Sequence, residues 1–582
     1  MTSRIIDTAE LLGGPFSRIA YKPFQPVVER LFGFAQLRRR YHEAGGDETA
    51  AHHLCANALR LLNTQWRLDR ADWDRLASID GPLVIVSNHP FGGVDSLILI
   101  ELMHRLRPGG WKLLSNHVLQ SVGPLAPHLI AVDALGLSHS SASINQAAMR
   151  ESLKFLREGN ILGLFPARRV SHLDRVTNSV IDQPWSSHAL KLAARTGASV
   201  ACLHIPGQNS DAFLRVPLRW PRLRGLLLCR EIVNAPQRDL NIALARLLSP
   251  EEVVRLKADP GGVARLRAHC FLEADKRRFS SRGKDAGLQG EVEFSSAEPA
   301  ISSSTAPKIP DSFRLFSRDG FDILLFEGRQ SSELMEILGR TREFTFCQSG
   351  QGVGREVDIT PEDPWYHQLL VWDPQRNIIA GAYRLGHVRK ILAEQGTSGF
   401  YLDKVFHIDR AFYRQFENGL ELSRSFVHPD YQRDNRVLPL LWKGLAHVAG
   451  KFGADTFYGS VSISNAYSPA SRAILVDFLS HHQADREAIR ALVQPRNPFI
   501  PQTDYHHLVT EAWSGERVSA LEPVIRHIED DRQGIPPLIR YYCSLGARFI
   551  AFHVEKQFKD AVYCLLRVDL ASIPAAYQRR FR

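Results

Sequence analysis

The chain contains no apolar run near the about eighteen residues that a helix needs to cross a bilayer, so no membrane-spanning helix is expected. Its opening, MTSRIIDTAELLGG, lacks the charged and apolar regions of a secretory signal, so none is expected there. Cysteine is sparse. The seven residues (Cys55, Cys202, Cys229, Cys270, Cys347, Cys543 and Cys564) are scattered, with no CxxC and no Cys/His group at metal spacing. Neither a disulfide framework nor a zinc site is expected, and cysteines so sparse and scattered predict a cytoplasmic address. Histidine is plentiful at 23, yet the pairs His52-His53 and His506-His507 lack a third ligand, and no metal is expected. Dense Lys/Arg blocks with interleaved aromatics are missing as well, which sets nucleic acid aside as a partner.

What is present is a basic chain of ordinary globular composition, 44% hydrophobic and 23% charged, with a net charge of +10. Such a charge calls for an anionic partner, and an acidic carrier protein or the anionic face of a membrane would serve. At 582 residues the chain exceeds what one core can hold, so two or more domains are expected. Between about Phe279 and Ile309 the composition turns to Ser, Ala, Gly and Pro with few large apolar side chains. That segment reads as a flexible linker over 279–310, separating domains at 1–278 and 311–582.

In the first half, GPLVIV, WKLLSN, LIAVDAL, ILGLFP and SVACLHIPG read as buried strands, and INQAAMRESLKFLREGN and HALKLAARTGA as helices. Alternation of this kind predicts an α/β domain with a central sheet, whose strand ends gather ligand sites. The stretch SNHPFGGVDSLILIELMHRL follows the first strand and becomes a helix marked by Leu97, Ile100, Glu101, His104 and Leu106. Its Gly-Gly loop can fold tightly enough to bring His89 against Asp95. An Asp beside a helix N-terminus stays ionised and holds an imidazole in one tautomer, making His89 a general base for an alcohol. The same residues also fit a plainer role, with Asp95 capping the helix and His89 bonded to backbone. Ahead of this motif, Ser17 to Ala44 interleaves apolar and basic residues at helical spacing, which suits a packing helix or an interfacial one.

The second half reads as helix (SSELMEILGRTREFTF), strands HQLLVWD, NIIAGAYRLG and LELSRSFV, helix VLPLLWKGLAHVAGKFG, strand FYGSVSI, then helix, an α+β pattern. Glu421, opening ELSRSFV, is a candidate base for an amine, because desolvation would lift its pKa toward neutrality. Strict alternation puts Glu421 and Arg424 on opposite faces of that strand, so sharing one site requires a bulge.

The order NHP, GG, D, FPA and TGA followed by an apolar strand resembles the glycerolipid acyltransferase superfamily, and its hemolysin-like subgroup above all, from roughly Gly81 to Phe213. The resemblance implies that His89 and Asp95 deprotonate a hydroxyl that attacks an acyl thioester. Two departures stand out. One extra residue separates His89 from Asp95 relative to HxxxxD, and Arg168-Arg169 follow Ala167 where the family has glycine. Arg168 or Arg169 would bind an anionic head group or a pantetheine phosphate, or form a solvated turn.

In the second half RTREFTF, GREVDITPEDPWYHQLLV, IIAGAYRLG, ELSRSFVHPDYQ, FYGSVSISNAY, PRNPF and PPLIRYYCSLGARF occur in the order of the ornithine-acyl carrier protein N-acyltransferases, over about Phe316 to Leu570. Those enzymes have the GNAT fold and also resemble acyl-homoserine-lactone synthases. From this resemblance Arg342 and Arg384 would bind the carboxylate of an amino acid and Asp358 its cationic group, or the two arginines would be salt-bridged scaffold and the Asp a solvated loop residue. Ser462 and Asn465, at a strand end, would contact pantetheine. Arg424 would share the site with Glu421. The stretch Tyr431 to Val437 lacks the glycines of a coenzyme A pyrophosphate loop. That fits an acyl carrier protein as donor rather than acyl-CoA, with Arg433 and Arg436 facing its phosphodiester. No cofactor beyond the acyl donor is implied.

The domain order is similar to that of the bifunctional ornithine lipid synthases. The expectation is N-acylation of the ornithine α-amine with a 3-hydroxyacyl chain, then O-acylation of the resulting lyso-lipid, at the inner face of the plasma membrane. Two alternatives stay open: a lysophospholipid acyltransferase fused to a homoserine-lactone-synthase-like domain, and a lipid- or carrier-binding protein with an inactive first half.

Overall fold

In a computed structural model describing residues 25–133, 141–234, 237–285, 307–348, 352 and 354–581, the chain divides into two units. One comprises 1–280 with 507–513, the other 281–506 with 514–582. The opening fourteen residues read for a signal lie outside the described residues. Of the stretch Ser17 to Ala44, helices Gln25–Leu31 and Phe34–Glu43 are described. The helix Gly262–Asp285 runs past the start of the segment read as a linker, whose residues 286–306 lie outside the described ones.

Strands β1 (Thr64–Leu68), β2 (Leu83–Ser87), β3 (Trp111–Asn116), β4 (Leu129–Val132) and β5 (Ile161–Leu164) belong to the first sheet. After the two-stranded ribbon of β6 (His172–Asp174) and β7 (Ser179–Ile181), β8 (Ser199–His204) and β9 (Arg238–Leu248) complete it. The order is β1-β9-β8-β2-β5-β3-β4. From β8 to β4 every pairing is parallel, and β9 lies antiparallel to β8. All five residues of β2 are buried, as a strand covered on both faces requires, which is why LVIVS is an unbroken apolar run. The helix Val94–Leu106 follows β2 and packs on β5. A Cβ at Gly163 would meet Met103 Sδ at 2.8 Å, so the helix side chain packs directly on the strand backbone there. The loops leaving the adjacent strands β2 and β5 carry His89 and Arg168 to the same edge of the sheet.

In the second unit β10 (Arg314–Arg318), β11 (Phe321–Glu327), β12 (His367–Asp373) and β13 (Ile378–His387) run antiparallel in sequence. The short β14 (Phe406–Ile408) and β17 (Val493–Pro495) form a separate pair. Next to β13 lie β15 (Gly419–Val427) and β16 (Thr456–Ile463), then β19 (Ala561–Asp569) and β18 (Arg548–Glu555) at the edge. Within this sheet β15 and β16 form the one parallel pair among the described strands, and their register stops at Leu422 opposite Gly459. Gly459 is forced there, since a Cβ would sit 2.2 Å from the Leu422 carbonyl oxygen. Beyond that contact the two strands part. The helix Val437–Phe452 connects them, as the sequence pattern predicts.

Candidate functional sites

His89 leaves β2 in a loop closed by Gly92, whose φ of +88° favours glycine and whose missing Cβ would meet Leu228 Cδ2 at 2.4 Å. The turn sets His89 Nδ1 2.9 Å from Asp95 Oδ2. The same carboxylate oxygen accepts the Phe91 and Gly92 N–H groups, each at 3.1 Å, while Oδ1 accepts Ser96 N–H. Burial would raise the Asp95 pKa, but His89 and these amides lower it below the usual carboxylate value. Burial likewise opposes a charged imidazole, yet Asp95 outweighs it and lifts His89 above the ordinary 6.5. With Nδ1–H given to Asp95, Nε2 remains as the basic nitrogen. The ring stacks on Phe165 at 4.0 Å between centroids and is 14% exposed, in the wall of a cavity of about 360 Å³.

Leu113, Leu164, Val170 and Phe213 make much of that wall apolar, and Arg168 and Arg169 belong to it. Arg168 adopts φ +62°, so it keeps the left-handed backbone that suits glycine and spends strain to place a guanidinium there. Sequence reasoning missed Asp182. It is fully buried, accepts the His89 backbone N–H at 3.2 Å and Ser171 Oγ–H at 2.6 Å, and takes Trp185 Nε1–H at 2.9 Å. Burial raises its pKa, against the pull of those donors and of His89. Ninety-three residues separate it from His89, and no spacing in the sequence signals the contact.

The second site lies where β15 and β16 part. Opposite Tyr383 the register shifts, Ala382 pairing with Phe426 and Arg384 with Ser423, so Arg424 and Ser425 share one position. Arg424 has φ +50°, completing the bulge that the alternation argument required. The opened strands line a cavity of about 530 Å³ with Tyr401, Ser423, Arg424, Ser462, Phe558 and Tyr563 among its walls. The Arg384 and Arg424 guanidinium carbons stand 4.8 and 4.9 Å from the Tyr401 ring centroid.

Glu421 is fully buried behind this wall rather than in it. Its Oε1 accepts Tyr366 O–H at 3.0 Å, and the same hydroxyl accepts the backbone N–H of Tyr401 at 3.0 Å. Oε2 has no hydrogen-bond donor. Burial therefore dominates, and although Arg384 and Tyr366 oppose it, the pKa rises to about 7.

Several residues read as substrate ligands or as salt-bridged scaffold are bonded to one another. Arg342 is fully buried, donating to Asp363 Oδ1 at 3.0 Å and Gln368 Oε1 at 2.6 Å, and is absent from the cavity wall. Arg384 is equally buried and touches the wall through Ser423 Oγ, to which Nε donates at 2.9 Å. Burial would raise the Asp363 pKa, but Arg342 and Arg384 hold this carboxyl well below its usual range. Asp358, expected to hold a cation, is spent on Arg424 at 3.0 Å. Asn465 lies exposed in the turn past β16, outside the wall that contains Ser462. Arg433 is exposed, and Arg436 binds Asp434 at 2.6 Å and stacks on Phe321; Gln432 and Asp434 line the cavity instead. Among the described residues no group of three His, Cys, Asp or Glu side chains could hold a metal ion.

Residues 53–237 match an acyltransferase family, and residues 341–443 match the GNAT acetyltransferase domain. The chain is 32% identical over 267 residues to a glycine N(alpha)-acyltransferase of Bacteroides thetaiotaomicron, covering 42% of this chain and 77% of that protein. A glycine N(alpha)-acyltransferase of Phocaeicola vulgatus is 28% identical over 249 residues, 40% of this chain and 74% of its own. A lyso-glycine lipid O-acyltransferase of Phocaeicola vulgatus is 31% identical over 134 residues, 23% of this chain and 45% of that one.

An NMR titration of His89 is expected to give a pKa above 6.5. Asp95→Asn should lower it by about one to three units, since the opposing charge is gone. An unchanged midpoint would contradict the coupling. Arg342→Ala leaves Asp363 buried without its main partner, so the urea midpoint should fall by the equivalent of about 3–5 kcal/mol. A loss below about 1 kcal/mol would show that the pair is not buried as described.

Proposed function

Because the chain belongs to the acyltransferase family that includes the Bacteroides thetaiotaomicron glycine N(alpha)-acyltransferase, and carries two acyltransferase domains, we propose that it builds a diacylated amino-acid lipid in two steps. It is an enzyme of the N- and O-acyltransferase type, acting on lipid-related substrates. The observation that carries the two-step reading is the 2.9 Å bond between His89 and Asp95 in the wall of an apolar cavity, in a chain that also holds a GNAT domain with a raised glutamate.

In the first step, assigned to the domain 311–582, an α-amine attacks the carbonyl of a 3-hydroxyacyl thioester. The amide C–N bond forms, the C–S bond breaks and the thiolate leaves; the proton lost by nitrogen passes to Glu421 and from there to the thiolate sulfur. Tyr366, which donates to Glu421 and accepts the Tyr401 amide, fixes the orientation of that carboxyl. In the second step, assigned to the domain 1–278, His89 Nε2 takes the proton of the chain's hydroxyl as its oxygen attacks a second thioester. An ester forms, and the departing thiolate takes the proton back. Arg168 and Arg169 receive the anionic head group or a pantetheine phosphate. Carrying both sites on one chain keeps the lyso-lipid close to the second site.

Glycine is the acceptor this reading favours. Asp358 is neutralised by Arg424 and Asp434 by Arg436, so the cavity wall offers a second cationic group no unpaired carboxylate among the described residues. The relatives named for glycine agree. Ornithine is the second reading, supported by the ordered motif blocks of the C-terminal half. An acyl carrier protein is the proposed donor, in keeping with the glycine-free Tyr431 to Val437 loop and the basic charge. No helix among the described residues is long and apolar enough to cross a membrane. We place the enzyme in the cytoplasm, at the inner face of the membrane where its product belongs.

Expression in a host without amino-acid lipids, followed by lipid mass spectrometry, should reveal a diacylated glycine or ornithine lipid, the head-group mass deciding between the two. His89→Ala should cut O-acylation by about 10²–10⁴-fold and leave the monoacyl amide to accumulate. Detection of neither amide nor diacyl lipid would overturn the proposal. In vitro, N-acylation by the wild type should fall as pH drops through about 7, where Glu421 becomes protonated. Glu421→Gln should abolish that step, and activity unaffected by this change would remove Glu421 from the mechanism.

A further inference from the structure

Two surface segments of the first unit meet at a shallow cavity of about 430 Å³: the β6–β7 turn and residues 214–219. At the turn, Val176 is 94% exposed, and its backbone N–H is pinned to Asp174 Oδ1 at 2.9 Å. Directly after the second segment, Trp220 is 51% exposed with the Arg219 guanidinium 5.6 Å from its ring centroid. Arg175, Arg215 and Arg219 stand exposed around the cavity, and Arg168 and Arg169 are exposed nearby in the chain. Against these five cations the two segments and the residues flanking them carry two carboxylates, Asp174 and Asp211. Leu218 lines both this cavity and the one that contains His89.

An aliphatic tip and an indole set among guanidinium groups match the two layers of an anionic bilayer surface, acyl chains beneath phosphates. We propose that this face docks the enzyme on an anionic lipid bilayer. Val176 and Trp220 enter the head-group region, while Arg175, Arg215 and Arg219 lie among the phosphates. The shared Leu218 then puts the mouth of the His89 cavity at the membrane, so that a lyso-lipid enters without crossing water. The inference rests on reading the first unit as a consumer of lipid.

Sedimentation with phosphatidylcholine vesicles, with and without phosphatidylglycerol, tests it. The full chain should bind the anionic vesicles, release in high salt, and bind the neutral ones weakly. Replacing Arg175, Arg215 and Arg219 together by alanine should weaken binding on the order of a hundredfold, at about fivefold per charge. Lysine at all three positions should restore it, which excludes a folding defect. Val176→Asp should cost about tenfold by itself. O-acylation of detergent-dispersed lyso-lipid should be unchanged in every one of these variants. Equal vesicle binding by wild type and the alanine variant would overturn the proposal, and would direct attention to the exposed Val27 and Leu31 of the helix Gln25–Leu31. Failure of the wild type to acylate dispersed substrate would instead count against the enzymatic reading, with vesicle binding intact.

Discussion

The bond between His89 Nδ1 and Asp95 Oδ2 governs the organisation of the first unit around it. Asp95 has no exposure, so its charge persists only because an imidazole and two amides converge on one oxygen. Meeting that demand fixes the loop: Gly92 must take positive φ, and the helix must begin at Val94 so that Asp95 sits in its first turn. The strand before the loop has to be immobile, and β2, buried at all five residues between two parallel neighbours, supplies that rigidity. Asp182 adds a second anchor by gripping the His89 amide, holding the backbone as Asp95 holds the ring.

The second unit handles buried charge in the opposite sense. Around the second site the buried arginines and carboxylates pair with one another, Arg342 and Arg384 with Asp363 and Arg424 with Asp358, while Glu421 forms no ion pair among the described residues. A carboxylate beside an aromatic wall, with one oxygen lacking a donor, is easily protonated, and its pKa near 7 is the consequence. Arg384, paired with Asp363, still opposes the rise through its charge, and burial outweighs it. The two units thus reach a base of useful strength from different sides, an imidazole raised by a partner and a carboxylate raised by isolation.

Much of the fold was legible because periodicity is local. The apolar runs β2, β3, β4, β5 and β8 and the helices beside them follow the strand-helix alternation of the first half, and HQLLVWD through FYGSVSI follow the second. β1 and β9 were not read, since TQWRL and RDLNIALARLL mix polar and apolar positions without the continuous run of a central strand. The β15 bulge was legible as a requirement, because residue types at 421 and 424 demanded it, though no residue announces where the extra position falls.

The sequence by itself determined which chemical groups are available and in what order: a His and an Asp in a Gly-Gly loop, a Glu at a strand start, an α/β and an α+β half, and no apolar run long enough for a membrane-spanning helix. Only the tertiary structure decided which charged residues are spent on one another. Arg342, Arg384 and Asp358 read as substrate ligands because a sequence shows charge without its partner, and their partners Asp363 and Arg424 arrive from other strands and loops. A guanidinium removed from water must meet a carboxylate within a few ångströms. Strand register and a single bulge, not residue type, set which carboxylate that is.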